Sequence, residues 1–411
     1  VPPAASETPA PALVASVAAA REPAKPEGLP HPLAGLDLLR IAADEAGTAA
    51  PVDAGAARLT VDADLQRTAS ALMAARHLPE AAVVVMDVAT GKLLAYASHV
   101  EKGDPRDLCA EASAPSASVF KIVTAAALVE DAHLGADTPE CYSGGEQRIT
   151  ATDLVPDRER DKWCTTLAGA MGRSINTVFA RLAKANLSPS QLEAMARRFG
   201  YGEPLAFDVP VQPSALHVPA EPLELARTAA GFWNTTLSPL QAVEISAIVA
   251  HGGEYVRPSI VEEVVSASGA AMWKQPGPDV SRRVVARETA EQLASMMERT
   301  VTEGTSWRAF HDGNRAAFLP GIGVAGKTGT LSAVDGSQRF YTWFTGFAPL
   351  HPQPGERQVA IAALVVNGPS WQIKANVLAR DVLRAYFAAQ GAPAVTRPST
   401  KMVARHKHSG T

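Results

Sequence analysis

The chain of 411 residues is long enough for one large domain or two ordinary ones. Hydrophobic residues make up 46% and charged residues 19%, so most of the chain is able to build a packed core. A net charge of −4, with no long basic run in the core region, argues against a nucleic-acid binder. No stretch approaches the roughly eighteen apolar residues of a membrane span.

Residues 1–32 carry eight prolines among many alanines, a composition suited to an extended, disordered linker. The chain starts with Val rather than Met, which reads as a processed or trimmed protein without its anchor. Leu33, Leu36, Leu39 and Ala43 mark a short helical stripe. Residues 1–58 are thus expected to be a linker with a short helix, and the ordered body to begin near Arg58. In LTVDADLQRTASALMAARHL (59–78), Asp62 or Asp64 is a candidate N-cap, with Leu65, Leu72, Met73 and Arg76 following at helical spacing.

AAVVVMDVATGKLLAYAS (81–98) reads as a β-hairpin turning at Thr90–Gly91. ASVFKIVTA (117–125) then starts a helix with a charged lysine among apolar neighbours. Such a lysine is costly to bury without a partner or a chemical role. Residues 165–310 read as mainly helical. GIGVAGKTGT (321–330), FYTWFTGFAP (340–349) and RQVAIAALVVNG (357–368) look like three strands, and a helix over 373–390 closes the domain. Residues 393–411, with four Lys/Arg and no acid, are expected to be a disordered tail. This order implies an α+β fold, with an antiparallel sheet drawn from both ends of the chain and a helical block inserted between.

Cys109, Cys141 and Cys164 form no CxxC pair. Cys141 and Cys164 flank a polar segment and are able to pair in an oxidising compartment; reduced thiols are the alternative. The single HxH, His406 and His408, lies in the basic tail, so no metal site is expected, and no cofactor. Trp307, Trp343 and Trp371 read as core or cleft-wall residues.

Three short motifs occur once each, in order: Ser118-Val119-Phe120-Lys121, Ser174-Ile175-Asn176 and Lys327-Thr328-Gly329-Thr330. A serine hydroxyl needs a neighbouring base to act as a nucleophile. Lys121, three residues on, shares its helical face. Burial and a second cation would lower the lysine pKa and free its amine to act as a base. Ser174 suits a proton relay, and Asn176 a hydrogen bond to the amide of a bound peptide. Lys327 on a strand supplies positive charge for a carboxylate, Thr328 and Thr330 add hydroxyl donors, and Gly329 permits close backbone approach. The backbone N–H groups of Ser118 and Thr330 are candidates for an oxyanion hole.

These motifs resemble the Ser-x-x-Lys, Ser-Asp-Asn and Lys-Thr-Gly set of penicillin-recognising serine enzymes. The chain resembles the transpeptidase domain of bacterial penicillin-binding proteins over residues 59–392, with LSPLQAVEISAIVAHGGEYVRPSIV (237–261) and TWFTGFAP among the similar segments. The resemblance implies a five-stranded antiparallel sheet covered by helices, an inserted all-helical subdomain, and an active site between them. It implies a peptidoglycan D,D-transpeptidase acting on stem peptides, acylated by β-lactams. It also implies a periplasmic, membrane-anchored location with cell-wall synthesis partners. A D,D-carboxypeptidase or endopeptidase, and a non-catalytic β-lactam sensor, are the alternatives. A β-lactamase is disfavoured by length. Glu221 and Glu224 resemble its water-activating residue only superficially and read as surface helix residues. The chain departs from the usual pattern at Ile175, where Asp is common, and at Ala117 and Val119, where the family often has Gly and Thr. Residues 1–58 leave no room for the large N-terminal domain of a typical monofunctional member, so a trimmed chain or a short single-domain type is expected.

Overall fold

The computed structural model describes residues 31–44, 47–145 and 148–391. The expected tail at 393–411 and the proline-rich residues 1–30 lie outside them. Residues 31–58 differ from the expected linker. Two 3-10 turns, His31–Leu33 and Leu38–Arg40, replace the helical stripe, and Leu33, Leu36 and Leu38 are buried while Leu39 is exposed. Three strands follow: β1 (Ala42–Asp44), β2 (Gly47–Val52) and β3 (Gly55–Leu59). Helix α1 (Ala63–Ala74) is capped by Asp62, whose carboxylate accepts from the Leu65 N–H at 2.8 Å.

The hairpin forms as expected, with β4 (Glu80–Asp87) and β5 (Leu93–Val100). A short strand β6 (Ala114–Pro115) leads to a 3-10 turn (Ala117–Phe120) and α2 (Lys121–Glu130). Next come β7 (Pro139–Tyr142) and β8 (Trp163–Thr166), then α3 (Leu167–Arg173), α4 (Asn176–Asn186), α5 (Pro189–Arg198) and α6 (Pro222–Ala229). Strand β9 (Thr236–Leu237) precedes α7 (Pro239–Ala250). Four strands then interrupt the expected helical block: β10 (Glu254–Val256), β11 (Val261–Ser266), β12 (Ala271–Lys274) and β13 (Val280–Arg283). The chain ends with α8 (Arg287–Thr302), α9 (Trp307–Phe310), β14 (Ala325–Ser332), β15 (Phe340–Ala348), β16 (Val359–Asn367) and α10 (Ala375–Ala389).

The central sheet has the order β14-β15-β16-β4-β5, antiparallel throughout. It joins the early hairpin to the last three strands, as the sequence implies. Both faces are covered. Ala82, Val84 and Met86 of β4 point into one apolar core, with α2 and α7. Their alternates Ala81, Val83 and Val85 point into the other, against Leu65, Ala69 and Met73 of α1 and Leu378, Val382 and Phe387 of α10. Burial on both faces explains why these strands read as continuous apolar runs instead of alternating ones.

A second five-stranded sheet, order β1-β2-β3-β11-β12, lies outside the expected architecture. Its partners are distant in sequence: Ala57 sits opposite Val264. Strands β2 and β3 are rich in Ala and Gly, which carry little β propensity, so only the pairing with β11 reveals them.

Candidate active site

Strand β14 forms the exposed edge of the central sheet, and the turn before α2 crosses beside it. Ser118 belongs to that 3-10 turn, not to the α-helix expected there. With three residues per turn, positions i and i+3 eclipse, so Lys121 stands directly over Ser118. The turn is entered through Ala117, which holds a φ of 48°, a left-handed conformation that glycine adopts more cheaply. This is the position where the family often has Gly. Val119 N–H is the first to close the turn, onto Ser116 O at 3.2 Å, leaving the Ser118 N–H without an intrahelical partner.

Lys121 is fully buried. Its Nζ lies 2.8 Å from Ser118 Oγ and 2.7 Å from Asn176 Oδ1, and it also bonds the carbonyl of Ala230. Asn176 Oδ1 and the carbonyl only accept. A neutral amine has two N–H donors for them and one lone pair, which then faces the serine hydroxyl. Burial, and next the charge of Lys327, push the Lys121 pKa well below that of a free lysine. The amine is therefore suited to take a proton from Ser118.

Ser174 ends α3 in a left-handed conformation (φ 58°), which turns its side chain toward β14. There Lys327 Nζ donates to Ser174 Oγ at 2.9 Å and to Thr328 O at 2.9 Å. Lys327 is also fully buried, and burial lowers its pKa to about 7. Thr328 shares a hydroxyl hydrogen bond of 2.6 Å with Thr305, just after α8. Gly329 faces Trp343 across the sheet. A Cβ on Gly329 would stand 3.1 Å from the Ala117 Cβ and 3.2 Å from the Trp343 Cβ, so a side chain there would press the strand and the Ser118 turn apart by a few tenths of an ångström. Trp343 is buried, and its Nε1 donates to Pro115 O at 2.9 Å, fixing the turn to the sheet.

The resulting cleft encloses about 210 Å³ and brings Ser118, Ser174, Asn176, Thr328, Gly329 and Thr330 together. A larger hollow of about 580 Å³ lies between α7, α8 and the end of β15, beside His251 and Glu291. No lysine lines it, so size does not locate the chemistry here. Asn176 differs in one respect from the role expected of it, because its side-chain oxygen is engaged by Lys121. Sequence reasoning missed Ala230, Gly231 and Thr305. Ala230 acts through its backbone, and backbone contacts leave no side-chain signature.

Two of the other expectations have definite places. Cys141 and Cys164 sit opposite each other on β7 and β8 and form a disulfide; Cys109 is a buried free thiol. Glu221 caps α6 by accepting from the Glu224 N–H at 2.8 Å, and Glu224 pairs with Arg227. Both serve their helix and neither lines the cleft. Among the described residues no cluster of three metal-type ligands occurs.

The family model of the penicillin-binding protein transpeptidase domain matches residues 81–384. The chain belongs to the penicillin-binding protein transpeptidase family. Stage V sporulation protein D of Bacillus subtilis is 27% identical over 321 residues, covering 73% of this chain and 48% of that protein. The peptidoglycan D,D-transpeptidase PbpA of Mycolicibacterium smegmatis is 26% identical over 346 residues, covering 75% and 66%. The chain thus spans about half to two thirds of these relatives. Among solved structures, the D,D-transpeptidase domain of a peptidoglycan glycosyltransferase from Eggerthella lenta matches with a TM-score of 0.65 at 25% identity, covering 86% of this chain and 95% of that one. Penicillin-binding protein A of Mycobacterium tuberculosis, as an imipenem acyl-enzyme, matches with a TM-score of 0.64 at 24% identity, covering 80% and 79%. The penicillin-binding transpeptidase fold therefore accounts for the central sheet and its helical insert.

Proposed function

We propose that this penicillin-binding transpeptidase domain cross-links peptidoglycan stem peptides through an acyl-enzyme on Ser118. Lys121 takes the Ser118 proton, and Oγ attacks the carbonyl of the penultimate D-Ala. The negative charge that develops on that oxygen is met by the N–H groups of Ser118 and Thr330. Ser174, held by Lys327, returns a proton to the leaving amine, and the terminal D-Ala departs as a free amino acid. An amine of a neighbouring stem then attacks the ester and regenerates the serine. Asn176 orients Lys121, while Thr328, Gly329 and Thr330 present the strand edge to the peptide. A β-lactam enters as the donor does, but its leaving amine stays tethered to the acyl group.

The observation that carries this reading is that Ser118, bonded to Lys121 at 2.8 Å, and Ser174, bonded to Lys327 at 2.9 Å, line one cleft. The paired Cys141 and Cys164 suit an oxidising compartment outside the cytoplasm. Among the described residues no helix is long and apolar enough to cross a membrane, so attachment would fall to other residues or to a partner of the wall-synthesis machinery.

Incubation with a labelled penicillin, read by intact mass, tests the reading. One covalent adduct is expected on the wild type and none on Ser118→Ala. A wild type that stays unlabelled, or a variant that is labelled equally, would overturn it. Product analysis with a lipid-linked precursor and an acceptor amine separates cross-linking from hydrolysis, which would yield only the shortened stem.

A further inference from the structure

Past Thr330, the wall of the cleft continues onto the loop before α10. Lys374 and Asn376 line it beside Thr328, Thr330 and Thr342. The register places Thr328 opposite Phe344 and Thr330 opposite Thr342, so both threonine side chains leave β14 on the face that α10 covers. Thr342 Oγ1 accepts from the Ala375 N–H at 3.1 Å, which ties the start of α10 to this strand pair. Asn376 Nδ2 donates to Ser306 Oγ at 3.2 Å, next to the Thr305 that bonds Thr328. Lys374 is thus held at a fixed place relative to the Lys-Thr-Gly strand.

The lysine itself has no obvious structural duty. It is exposed, and no carboxylate lies within ion-pair distance of it among the described residues. Its Nζ rests 5.4 Å from the centroid of the Trp371 ring, and Trp371 packs on Phe340 at the start of β15. As N-cap of α10 its side chain makes no capping bond, and a cation at that end of a helix opposes the helix dipole. No acidic residue lines the cleft. Lys374 thus brings an exposed ammonium, with no carboxylate partner among the described residues, to a cleft lined by hydroxyl donors and by no acid.

We infer that Lys374 is a second carboxylate-binding residue of the cleft, pairing with the terminal carboxylate of the acyl donor together with Thr328 and Thr330. The inference rests on the transpeptidase reading and adds a residue outside the three motifs. It also resolves a difficulty in that reading. Lys327 is buried against Ser174 and loses its proton near pH 7, so its charge at the strand is only partial in neutral solution. A solvent-facing ammonium supplies positive charge that does not depend on that buried site.

Second-order acylation rates of wild type, Lys374→Ala and Lys374→Arg test the inference with three ligands. The first is a penicillin with a neutral side chain. The second is the same compound with its ring carboxylate converted to an amide. The third is the amide carrying a new carboxylate on the acyl side chain. Lys374→Ala is expected to slow the first ligand by about tenfold, to leave the other two unchanged relative to wild type, and to lose salt sensitivity. Lys374→Arg should retain most of the rate. Equal losses on the carboxylate and its amide would mean a structural role and overturn the inference. So would an unchanged rate, or a loss confined to the third ligand, which would put the side-chain carboxylate there instead. Lys374→Ala removes no capping bond, and its circular dichroism and Tm provide the folding control. Wild type that fails to acylate with any ligand would refute the transpeptidase reading itself, a result distinct from these.

Discussion

Lys121 and Lys327 are two buried amines with opposite assignments. Lys121 has to lose its proton to act as a base, while Lys327 has to keep one to face a carboxylate. Burial works for the first and against the second. The acylation rate of free enzyme should therefore rise with pH as Lys121 deprotonates and fall as Lys327 does, with the descending limb centred near pH 7. In Lys327→Arg that limb should vanish, because a guanidinium holds its proton throughout this range. Lys121→Arg keeps a long nitrogen-bearing side chain but stays protonated and offers no lone pair, and its acylation should fall by about 10²–10⁴-fold at every pH. Stopped-flow acylation across pH 5–10 with these proteins checks all three; a wild-type profile flat through pH 7 would contradict the assignment of Lys327. The coming together of Ser118 with Lys121 and of Ser174 with Lys327 was legible from spacing and chemistry, because each is a side chain in a short motif. The burial of the two lysines was not, since no local pattern says what packs above them.

At the scale of elements, the turn that carries Ser118 is shaped by its neighbours more than by its own residues. The turn between α6 and β9 supplies two of them. Ala230 O accepts from Lys121, and Gly231 (φ 83°) lets its backbone pass under Ala117. A Cβ on Gly231 would meet Ala117 O at 2.3 Å and Ser118 Cα at 3.0 Å. Both are backbone atoms and unable to swing aside. Gly231→Ala is therefore expected to lower stability by about 2 kcal/mol, from left-handed strain and the clash together, and to cut acylation by at least about tenfold. Thermal unfolding paired with the penicillin adduct rate measures both; a variant that keeps wild-type values would show the turn to be more pliable than its contacts imply. The 3-10 geometry at Ala117–Phe120 also arises here. An isolated reading of ASVFKIVTA favours an α-helix from the serine onward, but the approach of Gly231 and Gly329 tightens its first turn.

For the whole molecule, two architectures share one chain. The central sheet contributes one wall of the cleft through β14, and the segment between α2 and α3 forms a clamped insert. Cys141–Cys164 closes that insert across 23 positions, and the buried Arg181–Asp161 pair holds it to α4 at 2.6 Å. Thr177, next to Asn176, donates to Gly144 O at 2.7 Å, so the insert also steadies the helix that orients Lys121. Reducing the disulfide, or replacing both cysteines by serine, should cost about 3 kcal/mol. Hydrogen exchange should then accelerate over residues 139–166 while β4, β15 and β16 stay protected; uniform acceleration would show the insert to be part of the global folding unit. The sequence by itself determined the α+β class, the hairpin and three closing strands of the central sheet, and the four motif residues that converge. These are local signals, readable in apolar runs, turn residues and spacing. Only the tertiary structure decided the second sheet, the bonding of Cys141 to Cys164, the contribution of Ala230, and the place of Lys374 beside Thr330. Each of these joins residues far apart in the chain, and such pairings are specified by the summed packing of both partners, which no single segment encodes.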